Sequence, residues 1–213
     1  MKLSRLAPTA LLFASLLLSS AQADEYQDAV SKAFPGFHIL GPAEIGLDKD
    51  EMDRDVYAQV KDRPGLIVGR FNSDALADFA ALIRGSKLMH IPEDKANRVT
   101  ALDYYQGYLV VCLGRAQGGY ACTKMKTDPM RILKPHHEYL MKIPPGRESC
   151  TSIQKYKAPK PKRNPNLGGE WSGGREDPGE ITFDTDAIGL RGSGGVVYVS
   201  QPRGMYIECG TSG

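Results

Sequence analysis

From Gly65 onward the chain is a succession of short β-branched and aromatic runs, each cut off by glycine, proline or charge: GLIVGRF, DFAALIR, YLVVC, YACTK, MRIL, YLMKI, EITFD, AIGLR, VVYVS and GMYIEC. Runs this short, closely spaced and bounded by turn residues pair as antiparallel strands. The expected fold is therefore α+β but mostly β: antiparallel sheets, one short N-terminal helix and disulfide-linked hairpins. The helix is EYQDAVSKAF, with Ala29, Val30 and Phe34 on one side and Pro35-Gly36 as its stop. Five of the eight residues in DKDEMDRD (48–55) are acids; the stretch could begin a second helix, but the solvated-loop reading is preferred. A loop is also expected from the end of DFAALIR to Val99. Residues 155–180 are rich in Lys, Pro and Gly without apolar periodicity, and are read as an exposed, flexible loop.

The N-terminus carries Lys2 and Arg5, the apolar run Ala10 to Leu18, then Ala21-Gln22-Ala23. This is the pattern of a secretory signal peptide cleaved near Ala23, leaving one exported domain over 24–213. The apolar run is far below the roughly 20 residues that cross a bilayer, so no membrane span is expected. Without residues 1–23 the chain holds 25 basic and 25 acidic residues. A neutral chain with only a mild internal charge asymmetry lacks a nucleic-acid footprint.

All four cysteines lie in the exported part, where thiols pair. Of three possible connectivities, Cys112–Cys122 is preferred because these residues flank a glycine-containing hairpin between YLVVC and YACTK, which leaves Cys150 with Cys209.

The segment GLIVGRFNSDALADFAALI carries a resemblance. It is similar to the FG-GAP or VCBS-type segment of integrin-like propellers and small exported bacterial proteins, a strand followed by a D-x-N-x-D-G-x-x-D loop and a second apolar strand. The resemblance implies a calcium-type loop with Asn72, Asp74 and Asp78 as the matching ligands. Arg70 stands where that family has its first acid and Ala75 where it has glycine, so no metal is expected to bind; the Arg70 guanidinium is expected to neutralise the loop acids. No internal repeat of the pattern occurs, so a propeller is not supported.

His136 and His137 form the most chemically suggestive pair, but lack H-E-x-x-H spacing and are read as solvent-facing loop residues. His38 and His90 are isolated, Ser193 in RGSGG lies outside a nucleophile elbow, and GSK at 85–87 lacks the upstream glycine of a phosphate loop. Lys155, Lys157, Lys160, Lys162 and Arg163 form a basic run that could meet an anionic surface, and Trp171 is either an anchor or a contact residue. These observations favour a non-enzymatic periplasmic or secreted binding protein, with an unidentified envelope or secreted protein as partner and no cofactor. A periplasmic hydrolase using His136 or His137 and a calcium-stabilised structural module are the alternatives.

Overall fold

The computed structural model describes residues 25–50, 52–93, 100–125, 129–157, 170–171, 178–192, 195–201 and 205–211. Helix α1 (25–33) opens the domain, with Tyr26, Val30 and Phe34 buried on one face. Pro35 follows, and Gly36 adopts φ +83°, the left-handed conformation that turns the chain out of a helix. Gln27 then receives the Ile39 amide at 2.9 Å, tying the helix to β1 (Phe37–Ile39).

The acidic stretch expected to be a loop instead leads into α2 (Arg54–Val60). Asp53 is its N-cap and accepts from the amides of Asp55 and Val56 at 2.8 and 3.3 Å. An acid at this position satisfies helix donors that have no intrahelical partner, which a tally of charges does not reveal.

The first sheet is built on a long antiparallel ribbon of β3 (Asp78–Ile91) and β4 (Leu102–Gly114). Strands β1 and β2 (Leu66–Gly69) pair with the outer edge of β3, while β5 (Tyr120–Lys124) and β6 (Met130–Ile132) pair with that of β4. The expected loop beyond DFAALIR is thus corrected, because strand continues to Ile91. Its register shifts between Arg84 and Leu88, and this irregularity breaks the alternation that would mark one continuous strand.

The second sheet runs β10 (Glu170–Trp171), β9 (Ser152–Lys157), β14 (Met205–Thr211), β13 (Gly195–Gln201), β12 (Ala187–Arg191) and β7 (Tyr139–Ile143). A separate ribbon joins β8 (Gly146–Cys150) to β11 (Gly179–Phe183). The expected loop at 155–180 therefore holds strand at both ends and at 170–171, with 158–169 and 172–177 outside the described residues. Lys160, Lys162, Arg163 and Ser193 lie outside the described residues.

Side-chain alternation sorts these strands into layers. Leu109 and Val111 face the second sheet, where they meet Leu140, Ile188, Leu190, Tyr198 and Tyr206. Tyr108, Val110 and Cys112, one residue out of phase, face α1. On the far side of the second sheet, Ala187, Val197, Val199 and Cys209 pack against Ile181 and Phe183 of the β8–β11 ribbon. The order is helix, sheet, sheet, ribbon. Cys112–Cys122 joins paired residues of β4 and β5, and Cys150–Cys209 ties the ribbon to β14.

Candidate functional site

The calcium-like loop forms one wall of a cleft between the two sheets. Its geometry is set by backbone amides. Asp78 is fully buried and accepts from the amides of Phe71 at 2.8 Å and Gly114 at 2.9 Å, so both of its oxygens are engaged. Burial pushes its carboxyl above the usual range against those two bonds, with Asp74 adding to the rise. Asn72 and Asp74 accept the amides of Asp74 and Leu76 at 3.1 and 3.0 Å, and Asn72 donates to Asp74. Ala75 sits at φ 63°, the left-handed conformation that glycine adopts at least cost. Phe71 and Phe79 are buried on opposite faces of the first sheet and anchor the two ends of the turn.

Arg70 is exposed and is held through its backbone. Its amide donates to Asp186 Oδ2 at 2.9 Å and its carbonyl accepts from the Asp186 amide at 2.9 Å, clamping the loop to the start of β12. The expected neutralisation of the loop acids by its guanidinium is replaced by hydrogen bonds from the chain itself. Among the described residues, no group of three or more His, Cys, Asp or Glu is arranged to hold a metal.

The cleft runs between β2, an edge of the first sheet, and β7, an edge of the second. At one end the Leu140 amide donates to the Pro64 carbonyl at 2.7 Å; at the other, Arg70 and Asp186 exchange two bonds. Between these stitches the two edges run close together. A depression of about 310 Å³ beside α2 is lined by Val60, Leu66, Ile67 and Met141. A second, of about 700 Å³, is lined by Arg70, Asn72, Ser73, Pro145 and Asp184. Val68 and Lys142 border both.

The backbone polarity of this cleft follows from antiparallel pairing, in which alternate residues turn their N–H and C=O toward opposite neighbours. Gly65 accepts from Leu82 across the first sheet, whereas the Leu66 amide and both Arg70 groups point the other way. Val68 shares that outward phase. On β7, Leu140 donates outward to Pro64, and Lys142 is in phase with it. Val68 and Lys142 thus lie in the outward phase of their strands. Val68 is 36% exposed, one of the large apolar side chains most open to solvent.

The histidines divide. His137 is exposed, but His136 is 5% exposed, which corrects the expectation of a solvent-facing pair. Its amide donates to Glu44 and its carbonyl accepts from Gly46, a bridge to the 41–48 loop that draws the residue inward. Neighbours in extended chain point to opposite sides, so one histidine is buried as the other is exposed. His136 Nε2 lies 3.4 Å from Glu138 without forming an aligned hydrogen bond.

Elsewhere, His38 and Arg84 both bind Glu44. Burial alone would raise the Glu44 carboxyl, but contacts from His38, the Gly41 amide and Arg84 together hold it below its usual range. His90 pairs with Asp103 at 2.7 Å on the projecting β3–β4 ribbon. Sequence reasoning missed the buried Lys124, whose ammonium lies 3.4 Å from the centre of the Tyr108 ring. It also missed Asp186 and Lys142, which only the meeting of the two sheets brings to the loop. Comparison with protein families, curated proteins and solved structures finds no match to this chain.

Proposed function

We propose that this chain is a non-enzymatic exported binding protein of the cell envelope, working through the cleft between β2 and β7. The observation that carries this reading is that two partly apolar depressions open along the line where β2 meets β7, with backbone bonds holding both ends of that line. Concave, partly apolar depressions of this kind are features of binding sites. Export is supported by the leader-like N-terminus and by two disulfides, which form and persist in oxidising compartments. The loop at 70–79 is read as an FG-GAP-like turn that keeps the family's shape through amide bonds in place of an ion.

The test places a photo-crosslinking residue at Val68, and separately at Lys32 on the exposed surface of α1, in a protein spanning 24–213. Each is irradiated in envelope extract from the producing organism. The expected result is a discrete adduct from position 68 that position 32 does not give. Equal labelling from both positions, or none from 68, would count against the cleft as the binding surface.

A further inference from the structure

The pairing of β6 with β4 ends at Tyr105, and beyond it the β3–β4 ribbon continues as two strands alone among the described residues. Two strands by themselves are marginal in water and need one face covered. Here the cross-strand pairs Met89–Tyr104 and Ile91–Leu102 lie on one face and His90–Asp103 lies on the other. The polar pair is closed by its own 2.7 Å bond. The four side chains of the first face are partly exposed and join none of the three core clusters of the described residues. Arg131 shares their face, with its guanidinium 5.7 Å from the centre of the Tyr104 ring.

We infer that this face docks on the surface of a bilayer that contains anionic lipid. Charge chooses the occupant. Lys87, Arg131 and Lys134 are exposed at this end of the ribbon and make no ion pair with a described acid. Asp103 is taken by His90 and Arg84 by Glu44, which leaves Glu93 as the uncommitted acid among the described residues here. Leu88, 52% exposed, and Leu133, 38% exposed, stand at the same end. Aliphatic side chains with a tyrosine and cations at their margin are the set that settles at a headgroup boundary. A second copy of the chain is a poorer fit, since four partly exposed side chains fall well short of the roughly 800 Å² per partner that a specific protein interface buries.

The experiment sediments the 24–213 protein with vesicles of phosphatidylcholine, alone or with one third phosphatidylglycerol, at low and at high salt. Binding is expected to the anionic vesicles only, and it falls as salt rises. Arg131→Gln combined with Lys134→Gln should lower partitioning at least about tenfold, at about fivefold for each cation near the surface. Ile91→Ser combined with Leu102→Ser should lower it by about fivefold or more. Arg147→Gln, on the β8–β11 ribbon at the opposite side of the molecule, should stay within about twofold. A position-specific readout uses Tyr104→Trp in a Trp171→Phe background, whose fluorescence brominated acyl chains should quench. No binding to the anionic vesicles, equal binding to both kinds, an equal loss in Arg147→Gln or an unquenched position 104 overturns the inference. Sedimentation velocity without lipid tests the other occupant: a dimer that Ile91→Ser with Leu102→Ser dissolves would give the face to a second copy and overturn membrane docking. The crosslinking test at Val68 is decided separately, because the two surfaces share no residue.

Discussion

Lys124 offers the sharpest test of the packing described here. Its side chain, on β5, is 2% exposed, and its ammonium lies over Tyr108 with Phe34 and Phe37 each 5.7 Å away. Burial pushes its pKa down to about 8 from an ordinary 10.5. The unfolded chain therefore holds this proton more tightly than the folded one does. Stability is lowest below pH 8 and rises as pH climbs toward 10.5, by at most about 3.4 kcal/mol over the whole interval. Between pH 7 and 9.5 the same linkage gives about 2 kcal/mol. The Tyr108 face attracts the cation and reduces that figure, by up to about 2 kcal/mol for a desolvated pair.

Lys124→Met keeps the length of the side chain and removes the charge. At pH 7 it should stabilise by about 1 to 3 kcal/mol, and its advantage should shrink as pH approaches 9.5. Urea unfolding of both proteins at pH 7, 8, 9 and 9.5 measures this. The difference between them cancels the contribution of the buried tyrosines, Tyr120 and Tyr206 among them, which burial pushes up to about 12. Parallel pH profiles for the two proteins, or a Met variant less stable at pH 7, would refute the view that a desolvated ammonium sits in this aromatic setting at a cost.

Other predictions concern the loop and the disulfides. Ala75→Gly should stabilise by about 1 kcal/mol in thermal melts, because alanine at φ 63° carries a penalty that glycine avoids. Asp78→Ala leaves the Phe71 and Gly114 amides without their acceptor and should cost about 2 to 4 kcal/mol in urea unfolding; an effect under 0.5 would show that the carboxylate does not organise the turn. Calcium or chelator should leave the melting temperature unchanged, since the loop oxygens already accept amides, and calorimetric detection of tight calcium binding would reverse that reading. Replacing Cys150 and Cys209 together by alanine opens a loop with a sequence separation of 59 and should cost about 4 kcal/mol on the chain-entropy model.

The chain's own order of residues was enough to specify α1, most of the strands and both disulfides. These features depend on neighbours a few positions apart: the spacing of Val30 and Phe34, the alternation through Leu109, Val110 and Val111, and the glycine-containing turn between Cys112 and Cys122. Strand β8, GRESC, lacks that local signal. It is held in place by β11 and by a disulfide to β14. The continuation of β3 to Ile91 was hidden by a register shift, and α2 by charges whose capping role depends on geometry. His136 and Lys124 are both polar in sequence and buried in the fold, one bridged to the 41–48 loop and the other covered by aromatic residues beside α1. The junction of the two sheets was the least legible feature, for it exists only where β2 (Leu66–Gly69) and β7 (Tyr139–Ile143), distant in sequence, come to lie side by side. Periodicity tells which face of a strand is apolar. Which two edges then meet is decided by the docking of one sheet on the other.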